Sequence, residues 1–155
     1  MKMKPVRRID REIATHEATE LFERCEYGTL STVGNDGQPY GIPLSYAISG
    51  NNIYFHCALT GHKLENIEFN PKVSFSVVGN TKVLPEKFAT EYESAVAFGT
   101  ASEIHGQERI DALMLLVEKY SPDFIKEGRK YIEQQDNATR VFKIEISHMS
   151  GKSRR

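Results

Sequence analysis

Residues 27–57 limit the fold more than any other part of this 155-residue chain, because they hold three β-periodic runs separated only by turn chemistry. Residues 27–33 (YGTLSTV) alternate as a strand with one buried face requires. Gly34, Asn35, Asp36, Gly37 and Pro39 then supply the positive-φ and fixed-φ positions of a turn. A second run covers 40–49, although Pro43 has no N–H to offer a ladder. Gly50, Asn51 and Asn52 make the next turn, and residues 53–57 (IYFHC) a third strand. Connections this short force an antiparallel meander, since parallel neighbours need a long crossover.

The remaining segments extend that pattern. Residues 72–78 and 94–104 read as a fourth and a fifth strand, with Gly99 suggesting a bulge or a close backbone approach. Residues 139–148 alternate as a sixth, followed by a small-residue turn and a basic tail. Helical periodicity appears in four places. The first is about 10–25, with Ile13, Ala14, Ala18, Leu21 and Phe22 on one face. A short helix over 62–69 stops before Pro71. The third covers 107–120, with Ile110, Leu113, Met114 and Val117 as its apolar stripe. A fourth starts at Ser121-Pro122, as cap and first position. Six strands without a repeated βαβ unit predict a mainly β fold: an antiparallel barrel with peripheral helices. The expected organisation is one domain over 1–155, with the barrel over 27–105 and a helical insertion over 106–136.

Charge and composition remove several function classes. Twenty basic against 21 acidic side chains leave a net charge of −1, without the basic excess that duplex DNA binding uses. An oligonucleotide-binding barrel is disfavoured on the same ground. No run of about 18 apolar residues is present, so no membrane span is expected. The N-terminus (MKMKPVRRID) lacks the apolar region of a signal peptide, and the default expectation is a cytoplasmic protein. Cys25 and Cys57 form neither a disulfide framework nor a metal-ligand pair. The five histidines, His16, His56, His62, His105 and His148, show no close zinc spacing, so no metal is expected. There is no Gly-x-Ser-x-Gly elbow for a nucleophilic serine.

The segment with most chemistry runs from His56 to Asn66. A strand ends, a loop containing Gly61 turns, and a helix opens with His62 and Lys63. Unpaired N–H groups at a helix start favour an anion, whereas cationic side chains there oppose the helix dipole. A phosphate bound by loop amides and Lys63 would resolve that conflict; an ordinary solvated lysine is the other reading, and pattern alone leaves both open. His56 shares a strand face with Tyr54 and Ala58, where it serves equally as a structural residue or as a functional one beside the loop.

Taken in order, the segments 28–67, 70–79 and 92–104 and the terminal Ser150-Gly151-Lys152 resemble the FMN-binding split-barrel family related to pyridoxamine 5′-phosphate oxidase. Within it they are most similar to the 5-nitroimidazole-resistance (Nim) group. The resemblance implies a six-stranded split barrel that forms a homodimer with FMN in grooves between the subunits. It implies that Pro43, Leu44, Ser45 and Tyr46 lie along the flavin, with Pro43 lacking a ladder partner. Ala58, Gly61, His62 and Lys63 would form the phosphate side with Asn66 near them, and Tyr92 and Ser94 would come from the partner or the groove wall. His56 matches the histidine near the flavin ring and is the expected catalytic residue, while Met149 and Lys152 complete the cofactor contacts. Met149 stands where related chains often carry an aromatic residue. Further basic ligands of the oxidase proper are missing, so pyridoxamine phosphate is not the expected substrate.

The resemblance thus implies an FMN-dependent oxidoreductase acting on a small organic acceptor such as a nitroimidazole. The alternative is a split barrel that binds or sequesters flavin, deazaflavin or haem without turnover, with His56 or His148 available to iron.

Overall fold

A computed structural model describes residues 3–134 and 138–155. The first strands form where the alternation required: β1 (Gly28–Val33), β2 (Pro39–Leu44), β3 (Ala47–Ser49) and β4 (Asn52–Cys57). Helix α1 (Thr15–Arg24) precedes these strands, and α2 (His62–Phe69), β5 (Lys72–Val78), β6 (Lys82–Leu84) and β7 (Ala89–Glu103) follow them. The helices α3 (Gly106–Tyr120) and α4 (Ile125–Gln134) lead to β8 (Arg140–Arg154). The expected insertion reaches 136, but residues 135 and 136 lie outside the described residues.

All neighbours are antiparallel, in the order β2-β1-β5-β7-β8-β4-β3, with β6 hairpinned onto the start of β7. The two ends of this sheet, β2 and β3, are consecutive in the chain and separated only by Ser45 and Tyr46. The single run expected over 40–49 therefore pairs with β1 in its first half and with β4 in its second. Counted as one strand it completes the expected six, and the break within it is where the barrel is split. The short β6 has no alternation long enough to mark it.

The corner is satisfied by side chains. Tyr46 N–H donates to the Tyr120 hydroxyl at 3.0 Å, and the Tyr46 carbonyl accepts from Lys119 Nζ at 3.0 Å. The Tyr120 hydroxyl also lies within hydrogen-bonding distance of the Tyr46 and Glu26 carbonyls. Tyr46 points its ring into the core, against Phe75 (centroids 4.9 Å apart) and Phe22 (5.9 Å), and its hydroxyl donates to the Phe22 carbonyl. Leu30, Phe55, Val77, Ala95, Ala97 and Ile144 fill the same core, which α1 closes with Ala18, Leu21 and Phe22. Those three sit at i, i+3 and i+4 of one helix face.

Three expectations change. Pro43, on the edge strand β2, has a register partner in Thr29 of β1, and an edge strand is where a residue without an N–H is tolerated. The expected turn and basic tail after 148 are strand instead: β8 continues to Arg154 and pairs with β7 as far as Tyr92. There Ile13 N–H donates to the Gly151 carbonyl at 3.0 Å. On α3, Ile110 is exposed, whereas Ala112 and Met114 are buried, with Ala112 under the helix against Tyr54, Ile104 and Val141. The expected irregularity at Gly99 is present as a register shift after Phe98, where a Cβ would come within 2.3 Å of the Glu145 carbonyl oxygen.

Burial of the Lys119 amine over the Tyr46 ring, 3.7 Å from its centroid, lowers its pKa to about 8. Above that value the folded chain has shed a proton that the unfolded chain keeps up to its ordinary 10.5. This group's contribution to stability therefore rises with pH between those values and is least favourable below them. The stability difference between the wild type and Lys119→Met, from urea unfolding, should shift towards the wild type from pH 8 to pH 10. A pH-independent difference would contradict this account.

Candidate functional site

β4 is buried on both faces at Tyr54 because α3 covers its outer side, and His56 emerges at the end of that cover. Its neighbours Phe55 and Cys57 point inward and are buried. This is the division of faces the alternation predicts. His56 and Ser45 line a cavity of about 470 Å³, to which α3 and α4 contribute a wall of Leu113, Val117, Tyr131 and Ile132. Sequence reading missed this wall: an amphipathic stripe does not say which of its members meet the core and which a cavity.

Beyond β4 the loop is pinned from below. Arg140 forms a two-pronged pair with Glu103 at 2.8 and 3.1 Å and donates from Nη1 to the Leu59 carbonyl at 3.2 Å. Helix α2 then begins after Gly61, whose carbonyl accepts from the Leu64 and Glu65 amides. Leu64 and Ile67 anchor it to the barrel.

His62 and Asn66, four residues apart on one helix face, both meet the β1–β2 ribbon. The His62 imidazole stacks on Tyr40, with centroids 4.0 Å apart and planes 26° from parallel. Asn66 Nδ2 donates to Thr32 Oγ1 at 2.9 Å, both groups buried. Tyr40 and Thr32 are themselves register partners. Lys63, the next residue round the helix, instead lies near enough to His56 and Cys57 to act on both electrostatically. His62 thus faces the β1–β2 ribbon and Lys63 faces β4. The helix-start amides with the Lys63 amine beside them are a donor set that suits a phosphate monoester.

The structure separates the other expected contacts. Ala58 is exposed in the loop, Pro43 is exposed on β2, and Leu44 is half-buried against the core. The Tyr46 side chain is not in the groove, because the core takes its ring and α3 takes its backbone groups. The Asn66 amide is likewise turned inward to Thr32. Tyr92 and Ser94 pair with Arg154 and Lys152 at the far end of β8. Cys57, beside the loop, pairs with Arg140 at its near end. Twelve residues of strand, a contour length of roughly 40 Å, separate Arg140 from Lys152, so the two sets are attached to opposite ends of β8. Met149 accepts a contact from the Thr19 hydroxyl at 3.6 Å, and His148 tilts against Phe98.

Desolvation, and then the Lys63 charge, push the His56 pKa below its ordinary value. The imidazole is therefore neutral at pH 7. Among the described residues no group of three or more His, Cys, Asp or Glu could hold a metal ion, and no helix is long and apolar enough to cross a membrane.

Residues 14–153 match the family described as pyridoxamine 5′-phosphate oxidase. An uncharacterized protein of Rhizobium meliloti is 30% identical over 129 residues, covering 76% of this chain and 78% of its own. A crystal structure of a candidate 5-nitroimidazole antibiotic resistance protein from Bacteroides thetaiotaomicron superposes with a TM-score of 0.74 at 19% identity, over 91% of this chain and 85% of that one. The FAD- and haem-binding protein of Mycobacterium smegmatis gives 0.81 at 20% identity, over 92% and 73%.

Replacing Lys63 by Met should move the His56 pKa upward, towards the ordinary histidine range, as followed by the imidazole proton shifts in NMR. An unchanged titration would place Lys63 too far from His56 to matter.

Proposed function

The chain belongs to the pyridoxamine 5′-phosphate oxidase family, and from that premise we propose that it is an FMN-dependent oxidoreductase reducing a small organic acceptor of the nitroimidazole kind. The observation that carries this reading is the pairing of a phosphate-suited helix start, with Lys63 beside it, with His56 on the rim of a largely apolar cavity. Structural neighbours that are an FAD- and haem-binding protein and a candidate nitroimidazole-resistance protein support it.

Electron transfer would be the chemistry of bound FMN, while the protein's residues supply binding, orientation and exclusion of water. Lys63 and the amides opening α2 would hold the phosphate, and residues 41–45 would offer the flavin their backbone groups. Leu113, Val117 and Ile132 offer an acceptor ring an apolar wall, and His56 donates a hydrogen bond from its imidazole N–H to an acceptor oxygen. Being neutral at pH 7, His56 orients the acceptor and does not pair with it as a cation.

The separation of Tyr92, Ser94 and Lys152 from His62 and Lys63 along β8 supports a homodimer in which a second copy supplies the missing half of each FMN site. A second reading, haem binding through His56 or His148, draws on the haem-binding neighbour. A Soret band in place of a flavin spectrum would favour it.

Purified protein should carry, or take up, FMN with visible flavin absorbance; failure to do so would sink this function. His56→Ala should keep FMN and lose at least about tenfold in nitro-reduction rate. Undiminished turnover would remove His56 from the reaction.

A further inference from the structure

Helix α4 contributes no buried residue, whereas α1, α2 and α3 each send side chains into the interior. Its apolar residues go instead to the cavity beside His56, which Tyr131 and Ile132 line. From α3 the same cavity receives Leu113, Val117 and Tyr120, which lie at i, i+4 and i+7 of one helix face. The two helices form a hairpin turned at Ser121. Its N–H donates to the Val117 carbonyl at 2.7 Å, and its carbonyl accepts the Phe124 N–H at 2.9 Å.

Gly128 seats α4 on α3. A Cβ built at this glycine would lie 2.6 and 2.9 Å from the two methyl carbons of Val117 and 3.3 Å from its Cβ. Val117 cannot turn away, because a β-branched side chain in a helix is held to one χ1 rotamer. A larger residue at 128 would therefore lift α4, which has no core residue to hold it down. Tyr131 and Ile132 lie three and four residues beyond Gly128, on the same side of the helix, and would rise with it. Val117 is itself a lining residue, so the contact that fixes the separation of the two helices also fixes the width of the cavity.

We propose that α4 is a size filter on this cavity, with Gly128 on Val117 as the seat that sets how large an aromatic guest enters. The inference rests on the reading that an acceptor ring occupies this cavity, and not on which cofactor reduces it. A volume of about 470 Å³ lies in the lower half of the range that serves drug-sized molecules. That suits one ring or a fused pair, set between α3 and α4, and not a longer polycycle. A glycine inside a helix is less favourable than alanine, and close seating of α4 gives it a function here.

The test is titration of the full chain with benzyl alcohol, 2-naphthalenemethanol and 9-anthracenemethanol, followed by the His56 imidazole signals in NMR, which report binding in this cavity. In the wild type the two-ring alcohol should bind about tenfold more tightly than the one-ring alcohol, from its larger apolar area. The three-ring alcohol should bind at least about tenfold more weakly than the two-ring one, against the trend of area, because overfilling is penalised. Gly128→Ala should strengthen binding of the three-ring alcohol at least about fivefold and leave the one-ring alcohol no tighter than before. Ile132→Ala, which thins the cover without touching the seat, should also favour the three-ring alcohol. Wild-type affinity that keeps rising with ring number, or a preference unmoved by both variants, would overturn the filter. His56 signals unmoved by all three alcohols would overturn the filter and the acceptor reading of the cavity together. The expected preference in a protein that takes up no flavin would leave the filter standing and remove the oxidoreductase.

Discussion

The two residues at which β2 leaves β1 and becomes β3 govern the rest of the structure. A closed ladder would satisfy the backbone of Ser45 and Tyr46; a split one leaves it exposed to desolvation without partners, at a cost of about 1–3 kcal/mol for each buried group. The chain meets that need with the end of α3, whose Lys119 and Tyr120 take the Tyr46 carbonyl and N–H. Tyr46, thus fixed, carries its ring into the core and its hydroxyl to α1. One residue therefore joins the sheet's two edges, the covering helix and the insertion.

That arrangement has a functional side. Tyr120 and Val117 belong to the same turns of α3 as Lys119, and both line the cavity that opens at His56 and Ser45. The helix that repairs the split also builds the wall an acceptor would rest on. Ser45, the other unpaired residue of the corner, opens into that cavity while Tyr46 turns inward. The gap in the ladder is the place where backbone, a histidine and an apolar surface come together.

Helix α2 divides its first residues in a similar way. His62 and Asn66 dock on β1 and β2, and Lys63 is left facing β4. Helical geometry sets this division, since adjacent residues point about 100° apart. His62 and Lys63 hence face different strands from the helix start.

Much of this was legible in the chain. Residues 27–57 specify an antiparallel meander through alternation and turn residues, which act locally, and 62–69 reads as a helix for the same reason. The opposite faces of Phe55 and His56 follow from strand periodicity alone. What only the tertiary structure decided is which positions on these elements meet. Tyr46 and Asn66 look like groove residues in sequence but are consumed by the core and by Thr32, because burial depends on the partner element and not on the residue. The tail from His148 to Arg154 carries no strong alternation and becomes strand because β7 lies alongside it. The wall of α3 and α4 beside His56, and the pairing of the His56 and Ser94 strands with opposite ends of β8, arise from contacts between residues far apart in the chain. No local pattern encodes such contacts, since their energy exists only once the elements have packed.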